Sequence, residues 1–128
     1  MKLGMTGSRM GMTDNAKLRL KYFLNENNIS EAHHGDCIGA DNEFHDIITE
    51  YNIQSVIHPP TNNKARAFCS GTIILPEKDY IPRNHDIVDS TDLLIAFPSS
   101  TTEEQRSGTW ATIRYARKIG KQVFIIYP

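Results

Sequence analysis

The sequence predicts an α/β fold: a Rossmann-like parallel sheet of about five strands with helices on both faces. Three observations carry this expectation. Short apolar runs alternate with stretches of helical period along the whole chain. The runs Leu93–Phe97 and Val123–Ile126 are nearly continuous in apolar residues, as strands covered on both faces must be. Turns rich in Gly, Ser, Asp and Asn follow several of the runs.

Leu3–Thr6 reads as the first strand, running into Gly7-Ser8-Arg9. Thr13 is a good N-cap, and Ala16, Leu20, Phe23 and Leu24 behind it share one face of a helix ending near Asn27-Asn28. Glu31–His34 is placed as the second strand mainly by its position between helical stretches. After Gly35–Gly39, Phe44, Ile47, Ile48 and Tyr51 recur at helical spacing. Ile53–Ile57 is a third strand, halted by Pro59-Pro60. Thr61–Tyr80 shows no clear period, with Thr72–Leu75 a candidate short extra strand. Pro82 suits the first turn of a helix running to Asp89. Leu93–Phe97 follows, then a helix marked by Trp110, Ile113, Ala116 and Ile119, with Gly120 at its C-cap and Val123–Ile126 as the last strand.

The 128 residues are expected to form one domain, 1–128. No 18-residue apolar run is present, so no membrane span is expected. Cys37 and Cys69 are too few for a disulfide framework, which points to a cytoplasmic protein. The net charge of −1 argues against a protein that works by gripping nucleic acid nonspecifically, since such binding rests on neutralising phosphates.

Open α/β sheets bind ligands beyond the carboxyl ends of their strands, and the residues expected there are chemically coherent. Gly7, Ser8 and Arg9 offer backbone N–H groups, a hydroxyl and a guanidinium before a helix, which suits a phosphate; a tight turn with a surface Arg also fits. Ser107, Gly108 and Thr109 open another helix and form a second anion cradle, or an ordinary N-cap. Gly35, Asp36, Gly39 and Asp41 follow the second strand. Asp36 fits a ribose contact or an Asx turn; Asp41 fits a helix cap, an orienting partner for His45 or a ligand contact. Arg83 and Asn84 stand in the first turn after Pro82, where Arg opposes the helix dipole unless it is paired. Glu103, Glu104 and Asp36 are the candidate acids or bases. His33, His34, Asp36, Cys37 and His45 match no zinc spacing, and alternating strand residues face opposite ways, so no metal site is expected. Neither a Walker A loop nor GxGxxG is present, and no cofactor is expected.

Taken in order, Gly7-Ser8-Arg9, Gly35-x-x-Ile38-Gly39-Ala40-Asp41 with His45, Ile81-Pro82-Arg83-Asn84, Asp92–Ala96 and Ser107-Gly108-Thr109 followed by Ala116 and Gly120-Lys121 resemble the SLOG superfamily. That superfamily groups the DprA-like domains with the LOG phosphoribohydrolases, and the resemblance spans nearly the whole chain, closest to the DprA-like branch. It implies a nucleotide or phosphorylated nucleoside-derived ligand at the strand edge. Gly7, Ser8, Arg9, Arg83, Ser107, Gly108 and Thr109 would line its phosphate side, and Gly35, Asp36, Gly39 and Asp41 its sugar or base side. LOG enzymes use a Glu in PGGxGTxxE to cleave an N-glycosidic bond; here Thr112 occupies that position and the PGG is absent. The leading expectation is therefore a nucleotide-binding sensor, carrier or sequestering protein. Alternatives are a LOG-type nucleotide hydrolase and a DprA-like module for single-stranded DNA. The resemblance also implies a homodimer through helices flanking the sheet, with Trp110, Tyr115 and Thr61–Tyr80 as the interface to examine.

Overall fold

The computed structural model describes residues Met1–Pro128. Its strands are β1 (Lys2–Gly7), β2 (Glu31–His34), β3 (Gln54–Ile57), β4 (Ile73–Ile74), β5 (Leu93–Phe97) and β6 (Gln122–Ile125). They form one parallel sheet of six strands in the order β4-β3-β2-β1-β5-β6. Helices α1 (Asp14–Glu26), α2 (Ala40–Glu50), α3 (Tyr80–Asp89) and α4 (Gly108–Lys118) connect and cover them. The fold is thus the Rossmann-like α/β fold that the sequence predicts. The candidate extra strand at Thr72–Leu75 is real, though cut to two paired residues, and raises the count from about five to six.

Period-two alternation in the central strands sorts the core into two layers. Leu3, Met5, Leu93, Ile95 and Phe97 pack against Ala16, Leu20 and Leu24 of α1 and Phe44, Ile47 and Ile48 of α2. From the opposite face, Leu94 meets Val88 of α3 and Ala116 of α4, while Ala96 meets Trp110 and Ile113. All five residues of β5 are buried, as its continuous apolar run requires. β6 departs from that expectation: it is an edge strand and leaves Phe124 38% exposed.

Local chemistry sets the helix ends. Thr13 Oγ1 accepts the Ala16 N–H at 3.0 Å and caps α1. Ser107 Oγ does the same for α4 with the Trp110 N–H at 3.3 Å. α3 begins two residues earlier than Pro82, with Asp79 at the N-cap, so that Pro82 still lies in the first turn, where its missing N–H costs nothing. Trp110 is 4% exposed inside the core and cannot serve an interface without unfolding; Tyr115 instead hydrogen-bonds Asp89 at 2.8 Å and stacks on His85.

The chain builds outward from β1 to β4, then returns to lay β5 on the other side of β1. α1 and α2 go to one face and α4 to the other, so the connections after β1 and β5 diverge and open a crevice between the strand ends. That is the switch point where such sheets bind ligands. No helix is long and apolar enough to cross a membrane.

Candidate functional site

A cavity of about 310 Å³ occupies this crevice. Gly7 at the end of β1 with Ser8 and Arg9 after it, Gly35 and Asp41 around the β2–α2 turn, Arg83 and Asn84 of α3, and Ser107, Gly108 and Thr109 at the start of α4 all line it. The turns separated in sequence therefore share one space.

The β1–α1 turn is tied down from within. Ser8 N–H donates to the Phe97 carbonyl, and the Ser8 carbonyl accepts the N–H groups of Gly11 and Ala40, joining β5, β1 and α2. Gly39 lies beneath it with φ +111°, and a Cβ there would stand 2.7 Å from the Arg9 Cα. Gly39 thus does not line the cavity; its role is to let α2 start directly under the Arg9 turn. Arg9 is exposed, makes no hydrogen bond or ion pair, and rests its guanidinium 5.1 Å from the centre of the Tyr80 ring.

At α4 the N–H groups of Gly108 and Thr109 make no hydrogen bond within the protein, because Ser107 satisfies only the Trp110 and Ala111 donors. Two free donors at the positive end of a helix dipole face the same cavity as Arg9.

Arg83 plays a different part from Arg9. It is 5% exposed, and its guanidinium donates to the carbonyls of Gly35 and His58, to Asn84 Oδ1 at 2.7 Å and towards Cys37 Sγ at 3.7 Å. Most of its donors are consumed by the protein, so it cannot act as a second bidentate phosphate clamp. It supplies a fixed positive charge in the cavity wall. Gly35 makes that position accessible: a Cβ there would stand 2.6 Å from Arg83 Cζ and 2.9 Å from Asp41 Oδ2.

Asp41 is the one carboxylate of the cavity lining. Its Oδ2 accepts the Cys37 N–H at 3.1 Å. Burial pushes its carboxyl up to about 6, against the opposing pull of the Arg83 charge. Asp41 can therefore hold or release a proton near neutrality, which is what general acid–base chemistry needs.

The other acidic candidates lie elsewhere. Asp36 is fully buried with φ +57°, and its carboxylate accepts from Arg66 Nε at 3.0 Å and from the Cys69 N–H at 2.9 Å. It pins the loop after β3 instead of facing the cavity. Glu103 is exposed and paired with Arg114 at 2.9 Å; Glu104 accepts the Ser100 hydroxyl at 2.6 Å. Thr112 is buried and turns its hydroxyl back to the Gly108 carbonyl at 2.9 Å.

Thr6, Cys37, Tyr80 and Ser99 complete the polar lining. Sequence reasoning missed Tyr80, whose hydroxyl is buried without a hydrogen-bond partner and whose ring has Arg9 on one approach and Arg83 on another. The available signal was an aromatic residue directly before Ile81-Pro82-Arg83-Asn84. Burial, with the Asp41 charge second, pushes the Cys37 thiol up and disfavours the thiolate a nucleophile requires.

Beside the cavity, His34, His45 and Cys69 place their donor atoms within 4.8 Å of one another. The two histidines are already hydrogen-bonded within the protein. The Asp36 N–H donates to His34 Nδ1 at 3.0 Å, which puts the His34 proton on Nε2, aimed at His45 Nδ1 at 2.9 Å. Burial first, then Asp36, pushes the Cys69 thiol up to about 12. His34 and His45 form a hydrogen-bonded strut between β2 and α2. On the opposite face of β2, His33 bridges Glu31 and His58 at 2.8 Å each, which shows the alternation expected of adjacent strand residues.

Comparisons with protein-family models, with curated proteins and with solved structures found no match.

Proposed function

We propose that this protein binds a nucleotide or phosphorylated nucleoside derivative in the crevice between β1 and β5, as a sensor, carrier or sequestering protein. One observation carries the reading: an unpaired guanidinium, Arg9, and the two free N–H groups of Gly108 and Thr109 converge on one cavity at the sheet's switch point. Such a set matches a phosphate in charge and donor geometry. Tyr80, Asn84 and Asp41 then meet the sugar and base, and 310 Å³ lies at the small end of ligand cavities, in keeping with a mononucleotide. The SLOG resemblance supports the same assignment. A panel of nucleoside monophosphates should raise the melting temperature by mass action, and Arg9→Ala should reduce the shift. A panel that leaves wild-type melting unchanged would end this reading.

A second reading, hydrolysis of the nucleotide N-glycosidic bond, is favoured by Asp41 alone. In it Asp41 takes a proton from a water that attacks the anomeric carbon, the glycosidic bond breaks with its electron pair going to the base, and the base takes up a proton from solvent, to which Asp41 returns its own. Thr112 offers no carboxylate for this step, so the chemistry falls to Asp41. Release of free base from nucleoside monophosphates, abolished in Asp41→Asn, would support it. Absence of release at pH 5 to 8 would remove it.

A further inference from the structure

A second cavity of about 270 Å³ lies against the first, and Arg9 is common to both linings. Its other walls are Ile38, Asn62, Lys64 and Ala65. It contains no acidic residue, and neither Arg9 nor Lys64 has a carboxylate within 4.0 Å. Other cations on the same stretch of chain are held: Arg66 by Asp36 at 3.0 Å and Lys78 by Asp86 at 2.6 Å. Lys64 is the one left facing a cavity.

The segment that carries Lys64 is fixed in place. The Ile38 N–H donates to the Ala65 carbonyl at 2.9 Å, and the Ala67 N–H to the Asp36 carbonyl at 2.7 Å. The buried Asp36 carboxylate holds Arg66 and the Cys69 N–H from below. Asn62 Oδ1 accepts the Lys64 N–H at 3.1 Å and caps a short 3-10 turn over Asn63–Ala65. A buried acid thus anchors a loop whose outward product is one more cation beside Arg9.

We propose that this second cavity is a phosphate subsite, and that the ligand is a nucleotide bearing at least one phosphate beyond the first, such as a nucleoside di- or triphosphate. The first phosphate sits at Gly108, Thr109 and Arg9, and the next crosses Arg9 to lie between it and Lys64. Arg9 then bridges two phosphates, a use for which the five donors of a guanidinium suit it better than an ammonium. The inference rests on the proposed nucleotide reading and adds the phosphate number to it.

Calorimetric titration of the full chain with a nucleoside mono-, di- and triphosphate of one base, in EDTA, tests this directly. Wild type should bind the diphosphate about tenfold more tightly than the monophosphate, as expected for a charge-assisted contact. Lys64→Ala should erase that preference and leave monophosphate affinity within about twofold, while Lys64→Arg should keep the preference. Arg9→Ala should weaken both ligands. Equal affinity for mono- and diphosphate in wild type overturns the subsite while leaving the mononucleotide reading intact. Equal weakening of both ligands by Lys64→Ala also overturns it, because it reveals only a diffuse field. Absence of binding by any nucleotide defeats both proposals. A single-stranded oligonucleotide that outcompetes every free nucleotide, and loses that advantage in Lys64→Ala, would replace the subsite with a path for a strand.

Discussion

Two aspartates five residues apart, both following β2, end in different surroundings. Asp36 has a left-handed backbone with φ +57°, and its carboxylate accepts from Arg66 and the Cys69 N–H. Asp41, in the first turn of α2, looks into the cavity. Sequence alone offers Asp36 a ribose contact or an Asx turn, and Asp41 a helix cap before a ligand contact; the partners that hold Asp36 lie thirty or more residues away. The two make opposite contributions to stability. Asp41 has its folded pKa raised, so it favours the fold below its unfolded value of about 4 and opposes it as pH rises through about 6. We expect Asp41→Asn to stabilise the protein by about 1–3 kcal/mol at pH 8 and to change little at pH 4, read from urea midpoints. A loss of stability at pH 8 would mean that the carboxylate is held by contacts stronger than its burial. Asp36→Ala should instead cost about 2–4 kcal/mol at pH 7, because it leaves a part-buried N–H unpaired and Arg66 with only the exposed Glu77, 4.0 Å away. It should also weaken the diphosphate preference by loosening the loop that carries Lys64.

Among the elements, legibility in the sequence followed the range of the interactions that make them. β2 and β5 fall at Glu31–His34 and Leu93–Phe97, as the apolar pattern and chain order indicate. α1, α2 and α4 follow from helical spacing and from caps at Thr13 and Ser107, all interactions within a few residues. The segment Thr61–Tyr80 had no readable period because distant groups order it: Asp36, the carbonyl of Ile57 for the Leu75 N–H, and an isolated bridge from Pro60 to Lys78. The same boundary separates the candidate site residues. Turns that precede helices announced Arg9 and Gly108, whereas Lys64 and Tyr80 enter through tertiary placement. Gly39 shows how tightly neighbouring elements are coupled, since α2 starts against the backbone of the β1–α1 turn. We expect Gly39→Ala to cost about 2–4 kcal/mol through its positive φ and the clash with Arg9. The nucleotide-induced rise in melting temperature should fall with it. A folded variant with an undiminished shift would separate the Arg9 turn from binding.

On the scale of the whole molecule, two of the histidines that lace the sheet, His34 and His58, are kept neutral by folding. Burial first, then the His45 charge, pushes His34 down to about 3; burial, then His33, pushes His58 down to about 4. The unfolded chain protonates both near pH 6.5, so it binds more protons than the native state below that pH, and each histidine makes stability fall as pH falls. From pH 6 to 4.5 each contributes about 1.4 kcal/mol per pH unit in that direction. Asp41 works against them over the same range, gaining stability as pH falls, by about 1.4 kcal/mol per unit. Glu31, lowered chiefly by its hydrogen bond from His33, acts below this window. The two histidines outweigh the one aspartate, so the net expected slope is a loss of about 1.4 kcal/mol per unit on acidification, levelling above pH 6.5. Replacing His34 by Asn removes one of the two histidine contributions and leaves His58 balanced against Asp41. The variant should be less stable throughout, having lost the strut to His45, yet nearly pH-independent between 4.5 and 6. Urea midpoints across that range measure both slopes. A His34→Asn protein that keeps the wild-type slope would place the acid sensitivity elsewhere, and would mean that the buried His34–His45 pair takes up its proton without unfolding.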